Sequence, residues 1–250
     1  MPPRAIGAPS PFLLLGPGRG GTSLLAGCLE RHPALMIRAE FGSVTHLMGG
    51  DEAQTPPPSK TRPLDYRLAR FRAACEADRR AHPECIWGNK ITTEQVLGFS
   101  EHDDLYNLDE EPVLDRFVTA MAGYRFLFIV RDGRSCVDSK VRRAGLTHVE
   151  AARRWRASVW MLEELEARGA LIGTFRYEDL VADPEATLRK VAESIGVAFD
   201  PRMLEGALSP IMPQDYRHGR IMTEKADERP GLPPGIEALL RPDLARLGYI

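Results

Sequence analysis

Positions 16–23 read Gly-Pro-Gly-Arg-Gly-Gly-Thr-Ser, four glycines around one fixed cation and two hydroxyls. Glycines at 16, 18, 20 and 21 let the backbone take positive φ and approach a ligand closely. Residues 12–15, Phe-Leu-Leu-Leu, have the length of a buried strand, and an apolar helical pattern begins at Ser23. Strand, glycine turn and helix start together make an anion grip, because the first helical turn offers unpaired N–H groups and the positive end of a dipole. The spacing fits the nucleotide-binding pattern Gly-x4-Gly-Lys-Ser/Thr except that Thr22 stands in place of the lysine. That lysine bridges the β and γ phosphates, so its absence argues against a nucleoside triphosphate. On its own, a glycine-rich turn can also simply join a strand to a helix.

A second cluster repeats the arrangement. Arg131-Asp-Gly-Arg-Ser-Cys-Val-Asp-Ser139-Lys140 follows residues 124–130, the most hydrophobic stretch of the chain. Arg131 supplies a planar fork for phosphate oxygens, and Ser139, one or two helical turns on, supplies a neutral donor. Taken alone, Arg131 would pair with Asp132 or a helix end. Two further charged residues close predicted strands, Glu40 after residues 35–39 and Lys90 after residues 85–89. Without other information Glu40 is a solvated carboxylate or a partner for Arg38, and a strand-end lysine is exposed.

Strands at about 12–15, 35–40, 85–90, 124–130 and 171–176 alternate with helical patterns at about 22–31, 64–80, 111–122, from 135, 148–168, 185–195 and 236–247. Residues 177–184 read as a turn of helix and a break. This alternation predicts an α/β, P-loop-like three-layer fold, a mostly parallel central sheet flanked by helices, in one domain over residues 1–250. Anion and catalytic groups would collect at the carboxyl ends of the strands. Residues 42–63 show no sustained periodicity and are expected to form a mobile acceptor-site loop beginning at residue 41. Trp87, Trp155 and Trp160 are expected in the core.

The chain has 250 residues with 33 basic and 35 acidic side chains, a net charge of −2, so no bulk field draws it to nucleic acid or anionic lipid. Its four cysteines form no Cys-x-x-Cys pair and are expected to be buried, reduced thiols. No apolar run approaches the length of a membrane span, and the first ten residues make a poor signal peptide, which predicts a cytoplasmic protein.

In this order, Gly18-Arg-Gly-Gly-Thr-Ser23, Arg131-Asp-Gly-Arg-x4-Ser139 and Arg176-Tyr-Glu-Asp-Leu180 resemble the sulfotransferases that use 3′-phosphoadenosine 5′-phosphosulfate (PAPS). The likeness runs from Phe12 to Tyr249. It implies that Arg19, Gly20, Gly21, Thr22 and Ser23 hold the 5′-phosphosulfate, that Arg131 and Ser139 bind the 3′-phosphate, and that Tyr177 lies beside the adenine. Arg217-His-Gly219-Arg220 is similar to a late segment, with Arg217 and Gly219, that completes the 3′-phosphate site in some members. The soluble bacterial-type enzymes share the pattern, and the closer likeness is to the branch containing the tyrosylprotein sulfotransferases. His32-Pro33 followed by Glu40, twenty-one residues after Arg19, resembles that branch's catalytic glutamate, and Asn89-Lys90 resembles its Asn-Lys pair. The chain departs from that branch in lacking a membrane anchor and paired secretory cysteines.

What the resemblance implies is in-line transfer of a sulfuryl group to a hydroxyl or amine of a small-molecule, carbohydrate, lipid or metabolite acceptor, releasing 3′-phosphoadenosine 5′-phosphate (PAP). Glu40 would be the base, and Arg19, Lys90 and Ser23 would face the leaving oxygen, with no metal. His46 and His102 are reserve bases. Two other classes fit the loops alone. A nucleotide kinase would need Mg²⁺ and prefer ATP; a noncatalytic module would bind PAP and transfer nothing.

Overall fold

A computed structural model describes residues 10–48, 64–99, 104–109, 112–214, 219–222 and 229–250. Five strands form a single sheet in the order β2-β3-β1-β4-β5: β1 (Phe12–Leu15), β2 (Leu35–Ala39), β3 (Ile86–Lys90), β4 (Arg125–Val130) and β5 (Leu171–Arg176). Every neighbouring pair is parallel.

The helices are α1 (Thr22–Glu30), α2 (Leu64–Arg80), α3 (Thr93–Leu97), α4 (Val113–Ala120), α5 (Gly133–Ala144), α6 (His148–Ala167), α7 (Tyr177–Ala182), α8 (Pro184–Ile195) and α9 (Pro234–Arg246). Side-chain alternation divides the sheet between two cores. Leu13, Leu15, Phe126 and Phe128 meet α2, α4 and α6 through Phe71, Phe117 and Leu162. Phe12, Leu14, Leu127 and Ile129 meet α1, α7 and α8 through Leu25, Leu180 and Leu188. The central strands are therefore apolar on both faces, as their unbroken hydrophobic runs require. This is the expected three-layer α/β fold. The chain leaves β1 toward one edge of the sheet and later returns to β4 on β1's other side, so the loops after β1 and β4 open side by side at the carboxyl edge.

Several sequence expectations need correction. Trp87 and Trp155 are buried, but Trp160 is 43% exposed on the outer face of α6. Residues 42–48, expected to be irregular, are packed. Gly42 turns with φ 69°, Ser43–Leu47 forms one π-helical turn, and Leu47 is buried beneath it. The rest of that expected loop, 49–63, lies outside the described residues, as do Arg217 and His102. The pattern also hid two short elements, α3 and a 3₁₀ segment, Pro201–Leu208, that packs on α1. Cys28, Cys75 and Cys136 are buried, and burial pushes each thiol up to about 12, while Cys85 is half-buried. Among the described residues no helix is long and apolar enough to cross a membrane.

Candidate functional site

The first loop leaves β1 under tight constraint. A Cβ on Gly16 would stand 2.4 Å from the Ile129 carbonyl oxygen, so only glycine lets β1 and β4 run so close there. Arg19 takes a left-handed φ of 70°, and Gly21, with φ 92°, is the N-cap of α1. No side chain caps that helix, and its first turn carries no acidic residue, which leaves its N-terminal N–H groups for an anion. The loop is held from behind by a buried ion pair that the sequence pattern did not reveal. The Gly18 N–H donates to Glu94 Oε2 at 2.8 Å, Lys140 Nζ donates to the Gly18 carbonyl at 2.6 Å, and the two side chains join at 2.5 Å. Burial opposes ionisation of Glu94, but the Lys140 ammonium and the Gly18 N–H outweigh it and hold the carboxyl below the ordinary glutamate range.

The second loop works differently from the expected repeat. Asp132 caps its own helix by accepting from the Arg134 N–H at 2.8 Å, and Arg134 closes on Asp132 at 2.6 Å. The dipole of α5 is thus already capped, and any anion here depends on side chains. Gly133 serves packing, since a Cβ would meet the Trp155 ring at 2.8 Å. Arg134 closes on Asp132, the partner the sequence also offered to Arg131, while Arg131 reaches the first loop. Its Nη1 donates to the Arg19 carbonyl at 3.2 Å, and its guanidinium lies 4.3 Å from the centre of the Tyr177 ring.

The Arg176-Tyr-Glu-Asp segment explains this arrangement. Tyr177 is buried with its ring against Gly21, where an added Cβ would come within 2.3 Å of it. Glu178 is also buried; it accepts from the Asp132 N–H and from the Tyr249 hydroxyl, each at 3.0 Å. Tyr177 therefore packs against both loops, and Glu178 ties the second loop to the Leu-Gly-Tyr segment at 247–249.

The two loops meet directly. Arg19 Nε donates to Ser139 Oγ at 3.0 Å across 120 residues of chain. Both loops line one cavity of about 400 Å³, together with Glu40, Lys90, Thr92, Arg142, Arg143 and Arg220. Arg142 and Arg143 escaped the sequence reading. Their signal was helical spacing, three and four residues beyond Ser139 on the same face of α5. Gly219 is exposed with φ 78°.

At the other end of the cavity, Lys90 Nζ donates to Glu40 Oε1 at 2.6 Å, with Lys90 buried and Glu40 37% exposed toward the opening. The alternatives of an Arg38 partner and an exposed lysine fail here, whereas Glu40 does keep part of its carboxylate in solvent. Arg38 pairs instead with Asp78 at 2.8 Å, and Lys90 is enclosed. Glu40 sits on a left-handed backbone, φ 58°, fixed by its N–H on the Lys90 carbonyl and by Ser43 bonding its own carbonyl. Asn89, fully buried, brackets the Phe41 peptide through both of its amide atoms. The matching Asn89-Lys90 pair thus has a division of labour, with the asparagine holding the turn and the lysine holding the carboxylate. Gln95, absent from the sequence reading, donates to the second Glu40 oxygen at 2.8 Å. His46 is not among the residues lining the cavity, and His32 is buried against the Ala198 carbonyl. Among the described residues no three His, Cys, Asp or Glu side chains gather as a metal site.

Comparison with known proteins fits this geometry. A model of the Sulfotransferase family matches residues 11–201. The sulfotransferase domain from the curacin biosynthetic pathway is 17% identical over 97% of this chain and 99% of that one, with a TM-score of 0.69. The sulfotransferase domain of the Synechococcus PCC 7002 olefin synthase is 18% identical over 98% of this chain and 97% of its own, with a TM-score of 0.71. Mouse sulfotransferase SULT7A1, crystallised in complex with PAP, is 15% identical over 98% of this chain and 90% of that one, with a TM-score of 0.51. At these identities the structural likeness speaks for the fold. The curated proteins give no match.

Proposed function

Because the chain belongs to the sulfotransferase family, we propose that it transfers the sulfuryl group of PAPS to a hydroxyl or amine acceptor and releases PAP. The observation that carries this reading is the convergence of the two loops on one cavity, with Arg19 and Ser139 in hydrogen-bond contact. The residues suit such a donor. The uncapped start of α1 with Thr22 and Ser23 faces the 5′ end, Arg131 and Ser139 face the 3′-phosphate, and Tyr177, which lines the same cavity, lies beside the adenine. Arg217 and Gly219 remain our assignment for the outer part of the 3′-phosphate site.

PAPS supplies the electrophilic sulfur, and the sulfur–oxygen bond to the phosphate breaks as the acceptor's oxygen or nitrogen bonds to sulfur. Glu40 takes the acceptor's proton. Arg19 and Lys90 stabilise charge on the departing oxygen, where a preorganised donor is worth roughly 2.7–4 kcal/mol. Fixed cations and backbone N–H groups serve a sulfuryl, which carries less charge than a phosphoryl, so the reading requires transfer without Mg²⁺. We place the protein in the cytoplasm as a single domain. The acceptor, a phenol, carbohydrate, lipid or other metabolite, would enter beside Glu40.

Calorimetry with PAP tests the donor assignment. Arg131→Ala is expected to weaken PAP binding by about tenfold to a hundredfold, the loss of charge-assisted hydrogen bonds. The fold should persist, which thermal unfolding of the variant beside the native protein checks; among its contacts the guanidinium donates to the Arg19 carbonyl and lies over the Tyr177 ring. Unchanged affinity would remove the 3′-phosphate assignment. An enzyme that binds ATP better than PAP, and only with Mg²⁺, would instead be a kinase.

A further inference from the structure

We propose that Gln95 is the positioning residue for the Glu40 carboxylate, delivered by the capping of helix α3. The proposal rests on the reading of Glu40 as the base. Thr92 and Gln95 form a reciprocal capping box, in which the Gln95 N–H donates to Thr92 Oγ1 and the Thr92 N–H donates to Gln95 Oε1 at 3.0 Å. A backbone N–H can only donate, so the amide oxygen must face Thr92 and the amide nitrogen must face away. That nitrogen meets Glu40 Oε2 at 2.8 Å, while Lys90 holds Oε1 at 2.6 Å.

One donor on each oxygen, from two separate elements, fixes the plane of the carboxylate. Glu40, Lys90 and Thr92 line the cavity and Gln95 does not, so Gln95 acts from behind the base. The residue before it completes the arrangement, because Glu94 holds Gly18 of the donor loop at 2.8 Å. Consecutive side chains of one short helix thus grip the donor loop and the base, and α3 sets the distance between them.

A capping box accepts glutamate as readily as glutamine. Gln95→Glu therefore keeps the cap but turns an anionic oxygen, not a donor, toward Glu40. The experiment uses the full chain with radiolabelled PAPS, naphthol as a phenolic acceptor and water as the acceptor available to any site. Gln95→Glu is expected to melt and to bind PAP like the native protein, keep its KM for PAPS, and lose about tenfold to a hundredfold in kcat. In crystals of that variant the Glu40 carboxylate should have rotated off the line between Lys90 and residue 95. In the Glu40→Gln background the same change should cost nothing more, because Gln95 acts only through Glu40.

Native turnover by Gln95→Glu, an unmoved carboxylate, or an additive loss in the double variant would overturn the proposal. If Gln95→Glu fails to fold, Gln95→Leu removes the donor without adding charge and must show the same kcat loss at unchanged KM. Glu40→Gln run alongside separates the two levels. Near-native turnover there sinks the base assignment itself, whereas an inactive Glu40→Gln beside a native Gln95→Glu sinks only the role of Gln95.

Discussion

Replacing Glu40 with glutamine should leave PAP binding intact and lower turnover by about 10²- to 10⁴-fold, the usual worth of general-base assistance. Glutamine keeps the length of the side chain and can still accept from Lys90, losing only the bond from Gln95, and the turn after β2 is held by bonds to its backbone that the change leaves in place. What disappears is the capacity to take the acceptor's proton. Single-turnover measurement with labelled PAPS, paired with calorimetry on PAP, separates chemistry from binding. Near-normal turnover would move the base elsewhere, although the reserve base His46 does not line the cavity.

The second large effect concerns Lys140. Removing one member of a buried ion pair strands the other, at a cost of about 3–5 kcal/mol. Lys140→Met should therefore destabilise the fold by that order at neutral pH and loosen Gly18, whose N–H and carbonyl the pair clamps. The pH dependence has a defined sign. In the native protein the lowered Glu94 carboxyl contributes stability that is present above the ordinary glutamate range and is lost as pH falls through its lowered value. In Lys140→Met the same carboxyl, buried without its cation, is pushed up instead, so its penalty is relieved by protonation as the solution is acidified. The gap in unfolding free energy between the two proteins should narrow toward acid pH in urea titrations. A gap that stays constant with pH would show that the pair has no electrostatic role. Adding Glu94→Gln to Lys140→Met should recover part of the loss.

The strands and long helices were legible because a sheet buried on both faces leaves unbroken apolar runs and amphipathic helices leave a 3.6-residue period. Strand boundaries at 12–15 and 171–176 agree residue for residue, and the other three shift by one residue. The two loops were legible through strand–turn–helix order, the first also through its four glycines. Less visible was how they are supported. Glu94 and Lys140 lie 46 residues apart, and neither stands in a local pattern that announces a partner. Gln95 left a trace, the Thr-x-x-Gln spacing of a capping box, but α3 spans only five residues and carries no periodicity. The enclosure of Lys90 was equally hidden, since a lysine at a strand's end carries no mark of what will cover it. Trp160 failed for the opposite reason. An aromatic residue reads as core, yet a long helix presents one face outward whatever occupies it.

The bonds that build the cavity join residues far apart in the chain: Lys90 to Glu40 across 50 residues, Gly18 to Glu94 across 76, Arg19 to Ser139 across 120. No fragment ending before α5 carries both loops of the cavity, so on the proposed reading PAP affinity should emerge late during refolding, after the sheet has closed. A nucleotide that recognises only the finished form pulls the population toward it, by about 2.7 kcal/mol at a hundredfold excess over Kd. PAP added to a refolding mixture would then act both as a reporter of the completed chain and as a brake on its loss to aggregation.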